Sequence, residues 1–286
     1  MSSEWIINFN SLVQKTSQTF GNGSVAQVVL SKGTAGGPET IYWSWGLGVT
    51  MGVYVAGGIS GAHLNPAVTL TMACLKKTSW KRVPFYMLAQ YLGAFIASVM
   101  VFVVYLDSIN NYDGGIRAVI GDKSTAGIWS TYPQSHLSTI NGFGDQIFGT
   151  ALLLICVLAV TDRKNMKPDS GLVPLSIGLI VVVIGMTFGY NCGYAINPAR
   201  DLGPRIFTAI AGWGEEPFSF RNYNWFWVPV IGSHIGALVG AAIYQLCVGL
   251  HWPLDQNDEI LKIPNNVYEN EVSEMESCKK EVDTHL

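Results

Sequence analysis

Five stretches of the chain are apolar and almost free of charge: residues 41–60, 84–106, 143–161, 171–190 and 225–250. An α-helix needs about 20 mostly apolar residues to cross the roughly 30 Å of hydrocarbon in a bilayer. Residues 143–161 fall slightly short of that length and carry Asp145 near their start; the other stretches reach it cleanly. A helix on the surface of a soluble domain keeps a polar face, and these segments have none. The pattern predicts transmembrane helices rather than the core of a large soluble protein. Residues 1–20 read differently. Trp5, Ile6, Phe9, Leu12 and Val13 fall at helical spacing, but Asn8, Asn10, Gln14, Lys15, Ser17 and Gln18 interrupt them. This segment predicts a short interfacial helix that does not span. It also lacks the charged start, apolar middle and small-residue exit of a signal peptide. Residues 107–142 read as a long polar loop, and residues 253–286 as a disordered cytoplasmic tail.

Two segments, 66–75 and 198–210, are apolar but too short to span. Ten helical residues reach only about 15 Å. Each opens with a proline, which suits the first position of a helix. Each follows the same pattern: Gly61-Ala-His-Leu-Asn65-Pro66-Ala67 and Gly193-Tyr-Ala-Ile-Asn197-Pro198-Ala199. Three predicted spans separate the copies, so the second enters the membrane from the opposite face. Paired, interrupted segments in two inverted halves point to a site at the bilayer midplane. Two such helices would meet N-terminus to N-terminus, each end carrying about half a positive charge. Asn65 and Asn197 would then put amide donors on the wall of a narrow, wet, positively biased pore. One copy alone reads as an ordinary helix start; two in matched context carry the argument.

Charged residues make up 13% of the chain, against about 25% in an ordinary soluble domain. Lys76, Lys77, Lys81 and Arg82 follow the first predicted span, and Arg163, Lys164 and Lys167 follow the third. Loops on the other side carry Arg117, Lys123 and Arg221. The positive-inside rule places the first group in the cytoplasm. The cysteines suggest no disulfide scaffold, and the histidines show no metal-ligand spacing. Asn22-Gly-Ser24 matches a glycosylation sequon, a pattern common by chance. No Walker loop, zincin helix or nucleophile elbow appears, so an enzyme reading has no support.

These residues carry a resemblance. From about residue 21 to about residue 250 the chain resembles the major intrinsic proteins, and within them the aquaglyceroporin branch. The most specific marker is Asn197-Pro198-Ala199-Arg200-Asp201, followed by Gly203-Pro204-Arg205. In that family an Asp after the Arg, with a basic residue four further on, separates glycerol-conducting members from strict water channels; Asp201 and Arg205 fill those places. Pro229 followed by Val230 also looks like the glycerol branch. The resemblance implies an all-α membrane protein, an aquaporin-like inverted-repeat helical bundle with two re-entrant half-helices over residues 21–252, assembled as a homotetramer. It implies a passive channel for glycerol and water, with urea as a further candidate solute, excluding ions and protons. It implies no cofactor, no metal and no nucleic-acid partner, a place in the lipid bilayer of the plasma membrane, and a cytoplasmic C-terminal tail. By resemblance a filter maps to Trp45, Gly185, Tyr194 and Arg200, above Asn65 and Asn197. Trp45 and Tyr194 would take the carbon edge of glycerol and Arg200 its hydroxyls, while Gly185 leaves room for a solute wider than water. Taken without the family, Trp45 reads equally as an interfacial belt residue and Tyr194 as packing. A charge such as Arg200 inside a membrane segment is costly and points to function. Asp201 is expected to shape its loop rather than touch solute, and His63 to brace the loop before Asn65.

The chain departs from the family at its start. Six spans are expected and five are visible; about 20 apolar residues are missing upstream of residue 21. The family's first span carries a buried Glu that braces the first Asn-Pro-Ala loop, and its counterpart in the second half maps to Gln146. Three explanations stand open: a truncated or spliced form of a working channel, which the reading favours; a five-span variant completed by a neighbouring subunit; or residues 1–20 acting as a poor substitute helix. The gap also admits a rival function, a non-conducting form that co-assembles with full-length channels and regulates them.

Overall fold

The computed structural model describes residues 3–252, with side chains from Ser11 onward. Its helices are α1 (Ser3–Leu30), α2 (Pro38–Ser60), α3 (Pro66–Cys74), α4 (Val83–Asp113), α5 (Thr139–Thr161), α6 (Val173–Cys192), α7 (Pro198–Thr208), α8 (Glu216–Tyr223) and α9 (Val228–Cys247). No strand occurs among the described residues. The order long, long, half-length, long appears twice, as α1–α4 and as α5, α6, α7 and α9, with the short α8 inserted. Among the described residues four helices are long and apolar enough to cross a membrane: α4, α5, α6 and α9. The fifth predicted stretch lies in α2, whose 23 residues cover about 34 Å but whose Gly, Ser and Thr dilute its hydropathy. Residues 253–286, expected as a disordered tail, lie outside the described residues.

The N-terminus differs from the sequence reading. Residues 3–30 form one 28-residue helix that runs through the boundary expected at residue 20. It packs against α2 and α4, where the five-span reading left a gap. Polar residues there read as facing water or a membrane surface; instead they face the interior. Gln14, Gln18 and Asn22 are buried and follow one another at i, i+4 spacing, so they share a helix face. Gln14 Nε2 donates to Gln18 Oε1 (3.4 Å), Gln18 Nε2 to Asn22 Oδ1 (3.0 Å), and Asn22 Nδ2 to Ser98 Oγ on α4 (3.3 Å). In an apolar surrounding such groups are tolerated because they bond one another, although Gln14 Oε1 meets no partner among the described residues.

The expected loop at 107–142 is also shorter than predicted, because α4 continues to Asp113. Gly114, with φ of 71°, closes the helix in a left-handed cap. The Asp113 carboxylate then gathers Arg117 (2.6 Å), the Gly115 N–H (2.8 Å) and Thr125 Oγ1 (3.3 Å).

Close approach of helices rests on glycines. Where α2 crosses α6, Gly46 and Gly178 lie against each other; a Cβ on Gly178 would meet Thr50 Oγ1 and the Gly46 carbonyl, and one on Gly46 would meet Val182 and the Gly178 carbonyl. On α4, a Cβ at Gly93 would lie 2.6 Å from the Ser11 carbonyl of α1. On α9, Gly236 and Gly240 face the Ile147 and Ala151 carbonyls of α5 in the same way. These are the small-residue contacts that let helices pack where no hydrophobic effect drives them together.

A buried ion pair fixes the loop between α4 and α5 onto α7. Asp201 Oδ1 accepts from Arg205 Nε (3.0 Å) and Nη2 (2.7 Å), while Oδ2 accepts from the Thr131 N–H (2.7 Å) and Thr131 Oγ1 (2.5 Å). Arg205 also donates to the carbonyls of Thr131 (2.7 Å) and Pro217 (2.8 Å). Both side chains are fully buried, and the carboxylate's four acceptor sites are filled. Removing one partner of such a pair strands the other charge. Asp201→Ala should therefore destabilise the fold by about 3 kcal/mol or more, read as a lowered unfolding midpoint in detergent. An unchanged midpoint would mean that the pair does not anchor the loop.

Candidate functional site

The two short helices start for the same local reasons. Gly61 and Gly193, both at φ 78°, end α2 and α6 in left-handed caps. Ala62 and Leu64 have φ of 41° and 55°, and Tyr194 and Ile196 at the same offsets have 37° and 42°. Side chains rarely adopt this region, and its repetition marks two copies of one loop. Asn65 and Asn197 then cap α3 and α7, with Pro66 and Pro198 at the first helical position and Ala67 and Ala199 behind them. Asn65 Oδ1 accepts from the Ala67 N–H (2.9 Å); Asn197 Oδ1 accepts from the N–H groups of Ala199 (3.0 Å) and Arg200 (3.3 Å).

The other ends of the two amides cross. Asn65 Nδ2 donates to the Ile196 carbonyl and Asn197 Nδ2 to the Leu64 carbonyl, both at 2.8 Å. Each asparagine thus caps its own helix and ties down the residue just before the other asparagine. An amide nitrogen has two hydrogens, so each keeps one beyond this bond. The two helix ends meet at a cavity of about 130 Å³ lined by Asn65, Asn197, Trp45, Tyr194 and Arg200. Val68, Leu153, Val157, Ile177 and Val181 form an apolar wall of the same cavity.

Arg200 is buried, with its guanidinium carbon 4.3 Å from the centre of the Trp45 ring. Its Nη1 donates to the Trp129 carbonyl (3.0 Å), in the loop that Asp201 and Arg205 anchor. Tyr194 packs edge-on against Tyr42, and its buried hydroxyl meets no partner among the described residues. Gly185 does not line the cavity. It stands behind Tyr194, where a Cβ would lie 2.9 Å from Cζ and 3.1 Å from Oη. Its missing side chain makes room for the tyrosine ring. Asp201 and Arg205 also stay off the cavity and act on the loop, while Gln146 Oε1 accepts from the Ile196 N–H (3.1 Å) and so braces the second asparagine loop. His63 lines the cavity but is held at Nδ1 by Thr69 Oγ1 (3.2 Å) and edge-on by Tyr86.

Sequence reasoning held a substitute helix over residues 1–20 as one of three explanations, but assigned no role to the residues that α1 brings to the cavity. Ser17 lines the cavity. Gly21 lies beneath Trp45, where a Cβ would run into the indole. Gln18 Nε2 donates to the Arg200 carbonyl (3.2 Å). The i, i+4 spacing of Gln14, Gln18 and Asn22 was the available signal.

The profile of the family described as major intrinsic protein matches residues 15–244. Aquaporin-10 of Milnesium tardigradum is 53% identical over 249 residues, covering 82% of this chain and 60% of that protein. Aquaporin-9 of Homo sapiens is 44% identical over 262 residues, covering 92% of this chain and 85% of its own length. The X-ray structure of the aquaglyceroporin from Plasmodium falciparum superposes with a TM-score of 0.78 at 31% identity, covering 87% of this chain and 98% of that one. The chain spans 60% to 66% of the length of the first tardigrade relatives it matches. With its apolar spans and its paired half-helices, this chain is an integral membrane protein that belongs to the major intrinsic protein family, and its features align it with the aquaglyceroporin branch.

Proposed function

We propose that this chain forms a passive channel for glycerol and water, with urea as a further solute, that excludes ions and protons. The observation that carries the reading is the meeting of two asparagine-capped helix ends in a cavity bounded by Arg200, Trp45 and Tyr194. The remaining amide hydrogens of Asn65 and Asn197 would hold a passing hydroxyl or water oxygen. Trp45 and Tyr194 would face the carbon edge of glycerol, and Arg200 its hydroxyls. The positive helix ends and the guanidinium oppose cations. The similar Plasmodium falciparum structure is that of an aquaglyceroporin, which supports the same solute class. Members of the family are channels rather than enzymes, and no cofactor is needed. A homotetramer in the plasma membrane, a channel domain over residues 21–252 and a cytoplasmic C-terminal tail complete the proposal. The gap that favoured a non-conducting regulatory form is occupied by α1.

Swelling of proteoliposomes containing this chain under an inward glycerol gradient tests the reading. Swelling well above that of protein-free vesicles, with no sodium flux, is expected. Glycerol flux no faster than through bare lipid would defeat it.

Two substitutions probe the site. Gly185→His would drive the Tyr194 ring toward Arg200 and narrow the filter. It should reduce glycerol permeability about tenfold, the effect of roughly 1.4 kcal/mol of overpacking, and reduce water permeability far less. Equal loss of both fluxes would contradict the filter assignment. Asn197→Leu removes a cap and orphans the buried Leu64 carbonyl, costs of about 1 and 1–3 kcal/mol. Both fluxes should fall to the level of bare lipid in correctly inserted protein, as measured by stopped-flow light scattering; retained flux would sink the midplane role.

A further inference from the structure

The main chain of Arg200 lacks the donor that an α-helix ordinarily supplies. In an α-helix the carbonyl of residue i accepts from the N–H of residue i+4. For Arg200 that residue is Pro204, inside α7, and proline has no N–H to give. The carbonyl is buried beside the filter, where an unmet acceptor is costly. Gln18 of α1, itself fully buried, supplies the donor: its Nε2 lies 3.2 Å from the Arg200 oxygen. The second hydrogen of the same Nε2 goes to Asn22 Oδ1 (3.0 Å), and Gln18 Oε1 accepts from Gln14 Nε2 (3.4 Å). With two acceptors on one side and a donor on the other, the amide can point only one way. Asn22 is tied in turn to Ser98 of α4. A continuous line of hydrogen bonds therefore runs from α4 through α1 to the residue whose guanidinium lies over Trp45.

We infer that Gln18 is a positioning residue for Arg200, supplying the hydrogen bond that Pro204 withholds and thereby setting where the guanidinium stands against Trp45 and Tyr194. α1 is then part of the selectivity apparatus without presenting a charged group to solute. Gln18 touches no solute itself; it acts through the backbone of α7. The flux readout of this inference rests on the channel reading, but the pairing of Gln18 with Pro204 does not.

The test uses the whole chain and exploits the proline. Gln18→Met keeps the side chain's length and loses its donor. Pro204→Ala restores an N–H at the i+4 position, so the helix can satisfy the Arg200 carbonyl without α1. In proteoliposomes Gln18→Met should lower the ratio of glycerol to water permeability about fivefold, the equivalent of one net hydrogen bond. The double variant Gln18→Met/Pro204→Ala should bring the ratio back to within about twofold of the parent. The same pair is read by thermal unfolding in detergent: Gln18→Met should lower the midpoint, and Pro204→Ala should recover most of the loss. This second readout needs no flux, so a chain that conducts nothing would overturn the channel reading while still testing the inference. An unchanged permeability ratio for Gln18→Met in a conducting channel overturns it. So does a recovery in midpoint or ratio no larger than the gain that Pro204→Ala alone gives the parent chain, because removing a proline from a helix interior stabilises it whatever Gln18 does. Should Gln18→Met fail to fold, the double variant must fold; if it does not, the inference falls.

Discussion

Inside hydrocarbon no water is at hand to satisfy a broken backbone, and a helix that stops halfway across a membrane leaves several groups exposed at its end. The crossed asparagine bonds answer that constraint. Each amide caps the first turn of its own helix and also takes up the carbonyl that the opposite loop presents. Neither half-helix can terminate where it does without the other. The left-handed residues before each asparagine are strained positions, and strain of this sort persists only where the surrounding contacts over-determine it. The remaining architecture serves that meeting point: glycines bring the full-length helices close enough to enclose it, and the Asp201–Arg205 pair fixes the loop above it.

The site depends on backbone acceptors more than on side-chain pairs. Among the described residues Arg200 finds no carboxylate; it rests on the Trp129 carbonyl and the Trp45 ring. Asp201, its immediate neighbour, is fully committed elsewhere, to Arg205 and Thr131. This division keeps one positive charge unneutralised beside the cavity while the adjacent negative charge is consumed in holding the loop. An Arg–Asp sequence could have folded into an inert salt bridge. Placing the second arginine one helical turn on directs the carboxylate away from the first.

The parts legible in the sequence were those written in local chemistry. Glycine stops a helix, asparagine caps the next, and proline fits its first position, so the two loops could be read directly from Gly61–Ala67 and Gly193–Ala199. The apolar stretches of α4, α5, α6 and α9 were equally plain. α1 was not, because sequence reading sends glutamine and asparagine toward water; whether Gln14, Gln18 and Asn22 satisfy one another is settled only by the facing helix and its Ser98. Gly185 was expected to line the filter but stands behind Tyr194 instead, since a glycine says that space is needed and not who will occupy it. The extension of α4 through residue 113 depended on Asp113 finding Arg117 and Thr125, pairings that a run of mixed polar residues does not announce.

The crossing of α2 and α6 has a consequence for how such a chain can change over generations. At Gly46 and Gly178 the two halves touch main chain to main chain, and the first carbon of any side chain has nowhere to go. Nineteen alternatives at each position share that one atom, so no single substitution is a gentle step. The proposed filter is different. Trp45, Tyr194 and the residues behind them meet through side chains whose size and polarity can be traded against one another while the frame stands. Heritable variation in this molecule is therefore channelled: the lining of the cavity can drift and be selected, whereas the frame around it is held at a single solution.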